Sequence, residues 1–372
     1  MSVALRNLYL LVSQRCNLTC NYCYAEGGHF GESPRLMDSV TLRRAFDTMF
    51  PLASESLVVS FFGGEPLLNF RLMQEAVSLG EVLAGKHGLR LRYALTTNGT
   101  VVSDDIVAFL REHVDYVAVS LDGNETVTDH QRHFLYGRRS VHATVLETLA
   151  RFREAGIAFA LRATVTESGV KDLLGTVRNF EALGATAIRL VPAFQVHGWD
   201  SRNLAKLAEE LHAVNRDAMD RAVVGKEPCY GEQFHRMRRF MHGERRHYPC
   251  EAANGVLAVA ADGGIYPCDH FVGNSAFRMG SVHDTVWPGP EAAAVQAQLE
   301  GNSVEQRPSC RGCGVRHICG GDCPANAAAA SGDISIPTAS HCSLVRRIYP
   351  AIGEELRRSA SAGEESQRGV VR

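Results

Sequence analysis

The chain alternates short apolar runs with longer segments whose apolar residues recur at helical spacing. Residues 7–12, 57–62, 91–95, 116–121, 158–165 and 187–191 are nearly continuously apolar, as strands of a parallel sheet buried on both faces must be. Between them, residues 38–49, 72–86, 104–113, 140–155 and 171–182 place apolar positions three and four apart and predict helices. Strand alternating with helix implies right-handed βαβ units, and about six of them fit between residues 5 and 195. That is too few for a complete eightfold barrel and suits a partial one. The predicted fold class is therefore α/β, a partial (β/α)6 barrel of TIM type over residues 1–195.

Beyond that point the pattern changes. Residues 196–247 read as a charged helical bridge, clearest at 203–223. Residues 248–345 are rich in glycine and cysteine, with strand-like pieces at 256–260 and 264–266, and form a C-terminal domain of four strands or fewer. Such a segment builds little apolar core, so metal ligation has to hold it together. Residues 346–372 make a C-terminal helix and tail, expected to fray past Pro350. The apolar patch at 8–12 is too short for a secretory signal, and no run of about 18 apolar residues occurs, so no membrane partner and a cytoplasmic location are expected. With 39 Lys+Arg against 41 Asp+Glu, no global basic field points to nucleic acid. A local basic stretch, Arg236 to Arg246, is a solvated face or a dock for an acidic peptide.

The 11 cysteines alter this plain picture. An odd number in a large intracellular chain is a poor disulfide framework and a better metal-ligand set. Cys16-x3-Cys20-x2-Cys23 follows the first predicted strand. Three such thiolates hold three irons of a 4Fe–4S cluster and leave the fourth open to a cofactor or substrate. A zinc knuckle would need a fourth ligand, and none follows at ribbon spacing. Gly63-Gly64-Glu65-Pro66 ends the second strand, Thr97-Asn98-Gly99 the third and Ser120-Leu121-Asp122-Gly123 the fourth. Each alone is a turn, but together they line the carboxyl ends of successive strands, the face where barrel ligands bind.

These motifs in this order resemble the radical S-adenosylmethionine (SAM) superfamily. The resemblance implies that SAM chelates the open iron, that one electron cleaves it, and that a 5′-deoxyadenosyl radical takes a substrate hydrogen. An electron donor such as flavodoxin or ferredoxin is implied with it. By the same resemblance Tyr22 lies against the adenine, and Gly63 and Gly64 let backbone approach the methionine moiety, whose ammonium Glu65 accepts. Asn98 and Asp122 fall in register with further cofactor positions, while Ser120 and Arg132 contact ribose or carboxylate. Ile188 is an adenine contact or plain sheet core, and Arg132 is a cofactor contact or a solvated surface arginine.

The C-terminal cysteines run Cys250-x17-Cys268, Cys310-x2-Cys313-x5-Cys319-x3-Cys323 and Cys342. This resembles the SPASM extension of radical SAM peptide-modifying enzymes, which carries two auxiliary 4Fe–4S clusters. The resemblance assigns Cys310, Cys313, Cys319 and Cys342 to one cluster. It leaves Cys250, Cys268 and Cys323 on the other, completed by Cys229 or by a substrate thiolate. A free thiol is the plain alternative for Cys229, and zinc is the alternative for the extension as a whole.

The flanking Cys250-Glu-Ala-Ala-Asn and Cys319-Gly-Gly-Asp-Cys323 are similar to maturases of ribosomally made peptides that join a cysteine sulfur to carbon. Tyr266-Pro-Cys268-Asp269-His270-Phe271 instead resembles the anaerobic sulfatase-maturing enzymes. There the aspartate matching Asp269 is the base that deprotonates a Ser or Cys on its way to formylglycine; the alternative is a turn-capping aspartate. A thioether-type crosslink on a peptide or protein is expected first and formylglycine formation second. A small-molecule radical SAM dehydrogenase is the reading from another class. With 15 residues before Cys16, the N-terminal leader-recognition domain of many peptide maturases is not expected, so either a separate leader-binding protein or the bridge and SPASM regions would recognise a peptide substrate.

Overall fold

The computed structural model describes residues 4–194 and 199–369, with side chains as far as Arg358. The domain boundary expected at residues 195 and 196 lies outside the described residues, as does the end of the expected tail. Contacts divide the chain into two compact units. The first contains residues up to 165, 180–196 and 251–301; the second contains 166–179, 197–250 and 302–372.

The first unit is built on strands β1 (Asn7–Ser13), β2 (Ser56–Gly63), β3 (Arg90–Thr97), β4 (Tyr116–Ser120), β5 (Phe159–Val165), β6 (Ala187–Pro192), β7 (Val256–Val259) and β8 (Ile265–Tyr266). They form one eight-stranded sheet in the order β8-β7-β1-β2-β3-β4-β5-β6. β1 to β6 are parallel neighbours in sequence order, as the apolar runs imply. β7 adds to the free edge of β1, also parallel, with Asn7 opposite Val256 and Leu10 opposite Val259, and β8 turns back antiparallel on it. The only strands described in residues 248–345 are thus β7 and β8, and both belong to this sheet.

Burial explains the runs: Leu8, Leu10, Leu11 and Val12 of β1 expose nothing, and Val59 and Phe61 of β2 are equally enclosed. The intervening helices start on side-chain caps. Asp38 accepts from the Thr41 N–H at 2.7 Å ahead of Ser39–Met49, and Ser103 accepts from Ile106 ahead of Asp104–His113. The sequence pattern did not reveal a two-stranded ribbon, Leu18–Cys20 against Arg132–Phe134, that sets Cys20 opposite Arg132.

The second unit is helical. The helix Ser201–Val223 buries Leu204, Leu207, Leu211 and Val214, a stripe at helical spacing. The helix Ala339–Gly369 buries Leu344, Ile348 and Ile352, and its Glu355 accepts His212 and Arg216 at 3.1 and 2.7 Å. That apolar stripe keeps the backbone helical through Pro350, where fraying was expected.

Candidate active site and cluster ligands

β1 ends at Ser13 and delivers the three-cysteine loop to the carboxyl end of the sheet. The Leu18 N–H lies 3.4 Å from Cys16 Sγ, the Gly27 N–H 3.3 Å from Cys23 Sγ, and Asn98 Nδ2 3.7 Å from Cys16 Sγ. Burial pushes the Cys16 thiol up to about 12, with Glu65 adding to it. It pushes Cys20 up to about 11, with Arg132 opposing. Three soft sulfurs on one loop, with N–H groups aimed at two of them, fit a thiolate-held iron–sulfur cluster.

The glycines of the second motif serve the protein's own backbone first. Gly64 N–H donates to Ser13 O and Glu65 N–H to Arg15 O, each at 2.8 Å. A Cβ on Gly63, whose φ is +136°, would meet Ser13 O at 2.1 Å, and one on Gly64 would meet Arg15 O at 2.4 Å. The motif therefore lets the end of β2 close on the start of the cysteine loop.

Glu65 has no exposed surface. Its Oε1 accepts from Leu67 N–H at 3.1 Å and Thr97 Oγ1 at 2.9 Å, and its Oε2 accepts from Asn98 N–H at 2.7 Å. Burial raises its carboxyl to about 7, against these three donors. Within the protein these bonds fasten the turn after β2 to the turn after β3. Asn98 Oδ1 in turn accepts from Thr100 N–H at 2.9 Å, and its Nδ2 donates to Asn17 Oδ1 at 2.9 Å.

Asp122 gathers the next group. Tyr22 Oη donates to its Oδ2 at 2.6 Å, Arg132 binds both oxygens at 2.9 and 3.0 Å, and the Thr164 N–H donates at 2.9 Å. Arg132 is 6 % exposed, so the solvated surface alternative falls. Its guanidinium lies 5.4 Å from the Tyr22 ring centre. Ser120 ends β4 half-buried, opposite Arg162 on β5. Ile188 is buried on β6 opposite Leu161, which is a core position.

Asp269 opens a short turn of helix, Asp269–Phe271, directly after Cys268. It is buried, and Tyr24 Oη donates to its Oδ2 at 3.2 Å. The His270 ring stacks on Tyr24 with centroids 4.3 Å apart, and its Nε2 lies 3.8 Å from the same oxygen. Burial drives the Tyr24 hydroxyl well above its usual range, and the Asp269 charge adds to this. Burial also lowers His270, Asp269 opposing and Arg162 assisting. The sequence reading missed Tyr24, although its place beside Cys23 was the available signal.

In the second unit Cys310, Cys313, Cys319 and Cys342 line a single pocket with His341 and Arg346. His341 Nε2 is 3.2 Å from Cys319 Sγ, its Nδ1 is 3.5 Å from Asp322, and Arg346 hydrogen-bonds Cys313. Four thiols around one hollow fit one fully ligated cluster. Cys250 lies near enough for its charge to reinforce the rise of the buried Cys323 thiol to about 12. Cys229 sits half-buried in the connection between Ser201–Val223 and Glu232–Met241. His247, Glu305 and His317 also converge within 4.8 Å. Arg316 Nε donates to His317 Nε2 at 3.1 Å and sets a cation at that trio's edge, so it reads as a surface hydrogen-bond cluster.

No helix among the described residues is long and apolar enough to cross a membrane. Residues 10–168 match the Radical SAM superfamily, and residues 250–314 match the SPASM iron–sulfur cluster-binding domain. A serine-type anaerobic sulfatase-maturating enzyme of Klebsiella aerogenes is 25% identical over 335 residues, covering 86% of this chain and 79% of that one. A solved structure of native anSMEcpe with bound AdoMet superposes with a TM-score of 0.80 at 18% identity, over 96% of this chain and 99% of that chain. Streptococcus suis SuiB bound to precursor peptide SuiA gives 0.63 at 16% identity, over 92% and 76%. At such identities the two structures speak to the fold. The chain is a radical SAM superfamily enzyme, with SAM and iron–sulfur clusters as its cofactors and a SPASM domain that contributes β7 and β8 to the sheet.

Proposed function

We propose that this enzyme is a maturase that oxidises a Ser or Cys side chain of a peptide or protein, with Asp269 as the base. The observation that carries this reading is the buried Asp269 carboxylate held by Tyr24 beside the stacked His270, directly after Cys268. The similarity to a serine-type sulfatase-maturating enzyme over most of both chains supports it. When bound, SAM and the clusters supply the radical that removes a hydrogen atom from carbon and the sink for the remaining electron. Cys16, Cys20 and Cys23 hold the first cluster, while Glu65 and Asn98 fix the turns around it. Asp122 locks Tyr22 and Arg132 at the ends of β4 and β5. Asp269 takes the proton from the substrate hydroxyl or thiol, and Tyr24 keeps that carboxylate in place.

The crosslink from cysteine sulfur to carbon, expected first from the flanking residues, is the competing outcome, and one experiment separates the two. The reduced enzyme is incubated anaerobically with SAM and peptides carrying Ser or Cys, and the products are read by mass spectrometry. An aldehyde that reacts with hydrazine supports the proposal; loss of two hydrogens with no free thiol and no aldehyde supports the crosslink. Asp269→Asn is expected to keep SAM cleavage and to lower product formation by about 100-fold or more, the usual worth of a positioned base. Full product formation by that variant overturns the role.

A further inference from the structure

The second unit buries an arginine, Arg307, that forms no ion pair among the described residues. Arg307 is 1% exposed, among the largest fully buried side chains of the molecule. Its Nε donates to Asn302 Oδ1 at 2.8 Å and its Nη1 to the backbone carbonyl of Asp322 at 3.0 Å. Both acceptors are neutral. Nη2 is enclosed and meets no hydrogen-bond partner. Among the described residues, no carboxylate lies within ion-pair distance of this guanidinium. The Asp322 side chain is engaged by the N–H groups of Cys323 and Thr338 and by the Thr338 hydroxyl, each at 2.8 Å.

The surroundings are shaped for this cation. Asn302 is itself fixed, donating to Ile334 O at 3.0 Å. A Cβ on Gly321, whose φ is +93°, would come within 2.9 Å of Arg307 Nη1, so the glycine leaves the space that the guanidinium fills. Arg307 also caps the ligand segment: its carbonyl accepts from the Cys310 N–H at 3.0 Å. Burial pulls its pKa down, while the negative charges of Cys310, Asp322, Cys319 and Cys250 hold it up, in that order. An arginine does not shed its proton to escape such a site, and a buried charge without a counter-ion costs several kcal/mol. With the Asp322 carboxylate held by its own donors, the further anion available to this cation is what the cysteines bind. A four-thiolate 4Fe–4S centre carries net negative charge, and hydrogen bonds and nearby charge set its potential.

We propose that Arg307 is a buried counter-cation of the auxiliary iron–sulfur centre held by Cys310, Cys313, Cys319 and Cys342, its charge raising that centre's reduction potential. It is a positioning and tuning residue, not a catalytic one. The inference rests on that ligand assignment, so the test reports on both.

Full-length chain carrying Cys16→Ala, Cys20→Ala and Cys23→Ala is reconstituted with iron and sulfide, which leaves auxiliary centres alone. Iron content is measured, and the reduced centres are titrated by electron paramagnetic resonance at fixed potentials. Arg307→Gln is expected to keep its iron and to raise the oxidised-to-reduced ratio at least about tenfold at a given potential, equivalent to about 59 mV for a one-electron couple. Arg307→Lys, which keeps the charge, is expected to shift less. Full iron with an unchanged ratio in Arg307→Gln overturns the proposal. Should Arg307→Gln bind no auxiliary iron, recovery of iron in Arg307→Lys supports the charge role, and failure of both variants to bind it overturns that role. Absence of auxiliary iron in the protein with Arg307 intact takes down the ligand assignment itself.

Discussion

Glu65 carries a proton-linked cost that can be read directly. Its carboxyl is held near 7 in the folded protein by burial, against 4.5 for the free group. The folded state therefore keeps a proton that the unfolded chain releases, and the stability contributed by this site falls as pH rises from about 4.5 to about 7. The drop is on the order of 3 kcal/mol at about 1.36 kcal/mol per unit. Denaturant unfolding of the cluster-free protein across that range, compared with Glu65→Gln, is expected to show the slope in the parent and a flatter line in the variant. Equal slopes would contradict it. At this scale the sequence showed which residues matter and not which protein groups hold them. Glu65, Asn98, Asp122 and Arg132 were all found from their motifs, yet their partners are one another's turns, and only the folded chain brings those together.

Elements were legible wherever burial covers both faces, because six continuous apolar runs can be little else than parallel strands. The ribbon of Leu18–Cys20 with Arg132–Phe134 was not, since three-residue strands leave no period to read. The addition of β7 to β1 was equally hidden, because register between residues 7 and 256 has no local signature. Glycines test the packing of these elements in both directions. Gly64→Ala drives a methyl into Arg15 O and the Gly28 backbone, so it is expected to destabilise the protein by about 2 kcal/mol or more and to cut iron loading at Cys16, Cys20 and Cys23. Gly85 lies in the helix Phe70–His87, where a Cβ meets nothing within 4 Å. Gly85→Ala is expected to stabilise by up to about 1 kcal/mol with unchanged activity. Thermal melts and iron assays of the two variants check both statements.

Over the whole molecule, the sheet is completed by chain that follows the helical bridge, since β7 and β8 come from residues 256–266. A chain ending at residue 250 would leave β1 with one neighbour and a bare row of backbone groups, an edge that invites association. Light scattering of that truncated chain is expected to report aggregates where the full chain is monodisperse, and a stable monomer would refute this. The same pairing sets a timetable for synthesis. About 240 residues separate the end of β1 from its second partner. At roughly 5–20 residues per second, β1 waits about 12–50 s on the ribosome for β7. The thiols of Cys16, Cys20 and Cys23 emerge just after β1 and hang throughout that interval from a strand held on one side. Their greatest exposure to oxidants falls during translation, before the enzyme's first turnover.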